Sequence, residues 1–432
     1  TAYITKIFGN NAFSYRLFSA IIGIIFILII FIIINNLFNS HIALLSSFLV
    51  SFSYWQIAWS RQARWYTLFA LLFWLALYFF YKSLYANKNK FLNIVLTATF
   101  TILAIFTHGL GYLLPLIFIG WIIINQVFIQ KKFNWKKNIV IILNGIIILW
   151  LFNLISGIDI LSYLFNNLNL HYVLPYYLSF YLRTYWPFIA LALVALFNKN
   201  GSYKKEIYFL LFTLGAYLIP LSFFTDMVQY RYMFHLTPIF FILGSIGLLS
   251  LHEDIKPLYG KIILWIAALG VFITMAGGMF VPQTNYYLES DDPETLGSRP
   301  HYAYTPQPQW NNAYEFIKIN KIDSDIIISS MPQFNKIFLG EAGYWIKYNY
   351  LGLTDKQSRT SNNKEFYVGA ETLNNLEEVK SITSSNHGFI IFDYMAIDEK
   401  IAPEFVKYIT NTFTQVFYEK TNSYSQVWVY KF

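Results

Sequence analysis

Apolar runs of about 20 residues, the length a helix needs to cross ~30 Å of hydrocarbon, recur over the first two-thirds of the chain with polar breaks between them. They fall at Ser19–Leu37, Ile42–Trp59, Tyr66–Tyr81, Phe91–Phe106, Leu110–Phe128, Ile139–Ile155, Tyr185–Phe197, Ile207–Phe224, Met233–Leu251 and Ile262–Val281. The pattern predicts ten transmembrane helices. The Tyr185 run is short, and Tyr172–Leu182 either extends it or lies in the interface. Some neighbouring pairs are alternatively re-entrant.

The pattern changes near Pro282. Pro308–Ile322 has the apolar spacing of a helix, as does Glu404–Thr412. Asp325–Ser330, Phe389–Tyr394 and Val427–Phe432 read as short buried strands. Lys356–Lys364 (KQSRTSNNK) reads as a polar loop. The expected fold is a polytopic α-helical membrane protein over residues 1–281, followed by a small extracytoplasmic α/β domain over 282–432.

Composition agrees. Only 12% of the residues are charged, against roughly 25% in an ordinary soluble domain. The charge is also segregated: 18 acids and 13 bases from Pro282 onward, but five acids and 18 bases before it. The net charge of +8 is therefore no sign of a nucleic-acid partner. The chain has no Cys, which excludes a disulfide framework, a thiol nucleophile and cysteine metal sites. Its seven His show no H-E-x-x-H spacing. The tail carries neither G-x-S-x-G nor a P-loop. No cofactor is expected, with a divalent metal left open.

Basic residues set the predicted orientation. Alternate loops hold Lys82, Lys88 and Lys90, then Lys131, Lys132, Lys136 and Lys137, then Lys199, Lys204 and Lys205, then Lys256 and Lys261. Those loops are read as cytoplasmic, in a plasma or inner membrane, with the tail outside. The opposite side receives Lys6, Arg16, Arg61, Arg64, Arg183 and Arg231. Each arginine alone is explained equally well by snorkelling to lipid headgroups. Together they favour an anion site, because guanidinium is a planar, bidentate binder of phosphate.

Three predicted outer segments stand out: Ser60–Leu68 (SRQARWYTL), Thr107-His108-Gly109, and Tyr230–Pro238 (YRYMFHLTP). With Ile7–Ala20 (IFGNNAFSYRLFSA) they resemble, in order, landmarks of the GT-C type membrane glycosyltransferases. The resemblance is to the branch of the dolichyl-phosphate-mannose–protein mannosyltransferases and the lipid A aminoarabinose transferase. It runs over nearly the whole chain, and the tail is similar to that family's outer domain.

The resemblance implies transfer of a sugar from a polyprenyl-phosphate donor to a protein, lipid or glycan acceptor outside the cytoplasm. Arg64 and Arg231, then Arg61 and Arg183, are the implied partners of donor phosphate. His108 either donates to phosphate or sugar or simply caps a helix. Tyr66 and Tyr232 either touch the donor or belong to the interfacial aromatic belt.

The family also carries an acid in its first outer loop, as acceptor-activating base, and the resemblance places that loop upstream of Thr1. The acid expected before Ala63-Arg64 is here Gln62, which is neither a base nor a metal anchor. Asp159 and Asp226 are the remaining outer acids of the membrane half. Asp226 is a candidate base, with a helix-end salt bridge as its alternative. Residues 1–432 are accordingly expected to bind donor and to transfer its sugar slowly or not at all. Two other readings stand beside this one: a lipid-linked-glycan flippase or polymerase component, and a non-catalytic membrane scaffold.

Overall fold

The computed structural model describes residues 2–9, 12–62, 64–129, 174–197, 203–224, 230–280, 310–346, 360–361, 363–365, 367–394, 396–397, 401–422 and 425–432. The chain divides into two compact units. One is Arg16–Pro282; the other is Gln283–Phe432 together with Thr1–Tyr15.

The first unit is helical. Its elements are α2 (Ala12–Leu37, after the short α1, Ala2–Phe8), α3 (Ser40–Phe52), α4 (Tyr54–Ser60), α5 (Tyr66–Tyr85), α6 (Lys90–Thr107), α7 (Leu113–Ile124), α8 (Leu174–Phe197), α9 (Lys204–Phe224), α10 (Thr237–Asp254) and α11 (Leu258–Phe280). Among the described residues six stretches are long and apolar enough to cross a membrane: Phe13–Leu37, Tyr66–Tyr85, Lys90–Thr107, Gly109–Val127, Lys204–Ser222 and Arg231–Asp254. The chain is an integral membrane protein.

Six of the ten expected runs fall on these stretches, and among the described residues others differ in form for local reasons. The run Ile42–Trp59 is two helices. Ser53 breaks it with an extended backbone (φ −68°, ψ 117°), leaving 13 residues before and seven after. The first piece also starts earlier than its apolar run, because the Asn39 side chain accepts the Ile42 amide at 2.9 Å as an N-cap. The run Tyr185–Phe197 belongs to the longer α8, which loses helical geometry at Tyr185 (φ −123°, ψ 17°). Pro187, two residues on, has no N–H to give back along the helix and crowds the preceding turn. Across this break α8 runs 24 residues in all, Leu174–Phe197, so Leu174–Leu182 extends the short run, as one of the two expectations had it. α11 itself is a 23-residue helix, Leu258–Phe280, and covers nearly all of the expected run Ile262–Val281. The run Ile139–Ile155 lies outside the described residues.

α10 is the most enclosed helix among the six stretches. Glycine lets α8 approach it: a methyl group on Gly247 would fall on the Leu191 carbonyl, and one on Gly244 would come within 2.6 Å of the Phe188 ring.

The second unit holds a mixed eight-stranded sheet in the order β3-β4-β5-β2-β1-β6-β8-β7. The strands are β1 (Ile326–Ser329), β2 (Tyr344–Ile346), β3 (Thr360–Ser361), β4 (Lys364–Glu365), β5 (Glu371–Leu373), β6 (Gly388–Asp393), β7 (Thr414–Asn422) and β8 (Ser425–Lys431). The central β5-β2-β1-β6 pairings are parallel, and β8 and β7 add an antiparallel pair at one side. Alternate residues of a strand face opposite ways, which gives the domain two cores. Ile327, Phe389 and Ile391 pack under a helix at Trp310–Asn320 (α12), with Trp310, Tyr314 and Ile317. Ile328, Ile390 and Phe392 pack on the other face with Val379 of α14 (Leu376–Ser385) and Phe405 and Ile409 of α15 (Pro403–Thr412). A further helix, α13 (Pro332–Leu339), comes directly after β1.

Of the expected elements here, the helix near 308–322, the three strands and the helix near 404–412 are all present. The polar stretch Lys356–Lys364 is described only in part. Its Thr360–Ser361 pairs with β4 as a two-residue strand instead of remaining loop.

Candidate functional site

Two polar clusters occupy opposite ends of α5, about 29 Å apart for a helix of this length. At the C-terminal end, Tyr81 donates to Glu206, Tyr85 donates to Asn125 at 2.8 Å, and the Lys205 ammonium sits 4.3 Å from the Tyr85 ring centre. These groups find partners on neighbouring helices. The N-terminal end is different.

There α4 stops at Arg61, and the turn to α5 carries Arg64, Trp65 and Tyr66. The Arg64 carbonyl accepts the Ser19 hydroxyl of α2 at 3.2 Å, which pins the turn. Arg64 is exposed and Tyr66 buried. The Tyr66 phenol feels the charges of Arg231 and, more weakly, Arg64. Arg231 comes from a 3₁₀ segment, Tyr230–Leu236, just before α10. Its guanidinium carbon lies 6.0 Å from the Tyr66 ring centre and 5.6 Å from that of Tyr232. Two segments 167 residues apart thus bring two arginines to one phenol.

His108 closes a third side. It comes after α6 in an extended conformation (φ −156°). Its ring lies 5.4 Å from Tyr66 and 5.8 Å from Tyr232, centre to centre. Its Nδ1 accepts the Leu110 amide at 3.1 Å. A neutral imidazole accepting at Nδ1 carries its proton on Nε2, which makes that nitrogen a donor. Burial first, and the Arg231 charge second, push the His108 imidazole down to about 4. The ring is therefore neutral at pH 7 and adds no charge to the site.

The cluster is rich in donors. Trp59, packed 4.8 Å from Tyr66 ring to ring, has a buried Nε1 without a partner among the described residues, and so does Arg231 at its Nε. Buried donors that lack an acceptor carry a desolvation cost. Two cations and two such donors around one phenol suit an anionic ligand. Among the described residues no group of three or more His, Asp or Glu side chains has the arrangement of a metal site.

Of the residues singled out in the sequence, Arg64, Tyr66, His108, Arg231 and Tyr232 are brought together. Arg61 is exposed at the end of α4 and has interactions of its own. Arg183 lies on α8, with its side chain outside the described residues, and Asp226 and Asp159 also fall outside them. Sequence reasoning missed Trp59 and His235. His235 is almost fully buried, its ring 4.4 Å from Phe73 and 4.5 Å from Tyr217. An indole N–H and an imidazole inside otherwise apolar runs were the available signal.

The first 152 residues match the family model of the dolichyl-phosphate-mannose-protein mannosyltransferases. No curated protein matches the sequence. Solved structures match over nearly the whole chain. One is ArnT from Cupriavidus metallidurans in the apo state, with 11% identity, a TM-score of 0.60, and 99% of this chain and 85% of that one covered. The same protein bound to undecaprenyl phosphate matches with 11% identity, a TM-score of 0.59 and the same coverage. The archaeal oligosaccharyltransferase AglB from Archaeoglobus fulgidus, in complex with an inhibitory peptide and a dolichol-phosphate, matches with 12% identity, a TM-score of 0.52, and 99% and 65% covered. At such identities the likeness is one of fold. By the sequence of its first 152 residues and by the fold of almost its whole length, this chain resembles the GT-C type membrane glycosyltransferases.

Proposed function

We propose that the protein transfers a sugar from a polyprenyl-phosphate donor to an acceptor hydroxyl or amide on the extracytoplasmic side of the membrane. The observation that carries this reading is the convergence of Arg64 and Arg231 on Tyr66, beside buried donors that lack an acceptor. A polyprenyl-linked sugar keeps its tail in lipid and its phosphate at the end of the helices, where these arginines lie. The lipid phosphates bound in the undecaprenyl-phosphate structure of ArnT and the dolichol-phosphate structure of AglB share that chemistry.

In the reaction, the bond between the anomeric carbon and the phosphate oxygen breaks, and the phosphate leaves with the electron pair. The acceptor atom forms the new bond to that carbon and gives its proton to a base. Fixed positive charge from Arg64 and Arg231 stabilises the charge that grows on the leaving phosphate, without reorganisation at the moment of reaction. His108, neutral, offers its Nε2–H as a hydrogen-bond donor to the same group. Asp226 is the candidate base within the chain. The arginines supply the charge in this reading, so transfer is expected to survive chelation of divalent metals.

The test uses the full chain in nanodiscs with a radiolabelled polyprenyl-phosphate sugar, scored separately for binding and for release of polyprenyl phosphate. Arg231→Ala and Arg64→Ala are expected to weaken donor binding by roughly tenfold or more each, since hydrogen bonds to charged groups are the strong ones. Full binding by the double variant would overturn the reading.

A further inference from the structure

The 3₁₀ segment Tyr230–Leu236 stands at the entrance to α10 with its core residues fully enclosed: Met233 and Leu236 are completely buried and Phe234 nearly so. Irregular backbone within a membrane protein is tolerated where it is buried in protein or lines a water-filled cavity, with its hydrogen bonds met. Here four consecutive carbonyls are each met by one side chain, and each side chain comes from a different helix. Tyr217 of α9 donates to the Tyr232 carbonyl at 3.0 Å, and Tyr181 of α8 to that of Met233 at 3.0 Å. Gln56 of α4 donates to the Phe234 carbonyl at 3.4 Å, and Trp74 of α5 to that of His235 at 2.8 Å.

Sequence explains part of the demand. Pro238 has no N–H to offer the carbonyls three and four residues before it, which are those of His235 and Phe234. Trp74 and Gln56 take its place. No such gap requires Tyr217. Its hydroxyl reaches the residue directly after Arg231, its own ring is fully buried, and that ring packs 4.5 Å from His235 and 5.9 Å from Phe73. A phenol inside an apolar helix, spent on one main-chain carbonyl, fixes where the neighbouring residue stands.

We infer that Tyr217 is a positioning residue for the anion site: its hydroxyl holds the Tyr232 carbonyl and thereby aims the Arg231 guanidinium at a ligand phosphate. The inference rests on the phosphate-binding reading above. Arginine binds phosphate through a planar fork, so a segment free to rotate keeps the charge nearby but loses the hydrogen-bond geometry. Tyr217 acts on the phosphate and not on the lipid tail.

The experiment measures binding of undecaprenyl phosphate, and of undecaprenol as the tail alone, to the full chain in nanodiscs. Tyr217→Phe removes the hydroxyl and keeps the ring. It is expected to weaken undecaprenyl phosphate roughly three- to tenfold, the range of one hydrogen bond, and to leave undecaprenol unchanged. In an Arg231→Ala background the same substitution is expected to cost nothing further, because the two residues act as one unit. Tyr208→Phe, which alters an exposed phenol on the same helix, is expected to match the parent. Should Tyr217→Phe fail to fold, Tyr181→Phe frees the next carbonyl, Met233, and is expected to give the same phosphate-selective loss. Full affinity in Tyr217→Phe beside a loss in Arg231→Ala overturns the positioning role alone. Equal losses for phosphate and alcohol, or an additive double variant, overturn it also. Full affinity for undecaprenyl phosphate in Arg231→Ala overturns the phosphate-binding reading itself.

Discussion

The Arg231 guanidinium carbon stands 6.0 Å from the centre of the buried Tyr66 ring, within cation–π reach. Arg231→Lys keeps a positive charge there but replaces a planar fork with a point charge. It is expected to retain weak ligand binding and to lose about tenfold in affinity for undecaprenyl phosphate, with a steeper loss as salt is raised. Titration of the purified variant at two ionic strengths checks this.

His108 gives a pH-dependent signature. Its imidazole has a folded value of about 4, from burial first and Arg231 second, below the ordinary value near 6.5. The native state therefore favours the neutral ring. The stability this contributes is present above pH 6.5 and is lost as pH falls from 6.5 toward 4. NMR of labelled histidine should show His108 neutral at pH 6. Arg231→Ala should raise its midpoint without restoring it to 6.5, because the larger cause, burial, is untouched.

Two glycines in the membrane unit separate close packing from helix propensity. A methyl group at Gly247 meets the Leu191 carbonyl, whereas one at Gly215 of α9 has nothing within 4 Å. Gly247→Ala should destabilise the protein by about 1–3 kcal/mol, as overpacking does. Gly215→Ala should be neutral or slightly stabilising. Thermal unfolding in one detergent compares them.

Orientation can be read by chemistry on intact cells, because the chain has no cysteine of its own. A single cysteine at position 360 is expected to react with an impermeant thiol reagent, and one at position 134 to react only after permeabilisation. The reverse pattern would invert the topology and remove the transferase reading with it.

Much of the architecture was legible because periodicity is a local property. The continuous apolar run around Ile21–Ile34 and the short, wholly apolar runs within Ile326–Ser329 and Gly388–Asp393 each announce their element. The features that stayed hidden depend on partners. Ser53 carries no intrinsic helix-breaking signal, so the division between α3 and α4 could not be seen in its own residues. Pro187 did offer a signal, since a proline disturbs the turn before it, and the break at Tyr185 lies in that turn. In the second unit, β2 and β7 lack a clean buried face in sequence: β2 is only three residues long, and β7 carries register shifts. In the candidate site, the charged residues Arg64 and Arg231 were conspicuous against an apolar background. Tyr181, Trp74 and Tyr217 were not, because an aromatic residue in an apolar helix looks like packing until its one polar atom is seen to have an address.

The strand order carries a consequence for how the second unit is made. β8 inserts between β6 and β7, so the β6 edge has no neighbour on that side until Ser425–Lys431 has been synthesised. A ribosome paused anywhere before Ser425 leaves a nascent chain with the hydrophobic β6 uncovered along one edge. The last of the eight strands in chain order is thus the one that covers the β6 edge, and the sheet cannot close before that strand has been made.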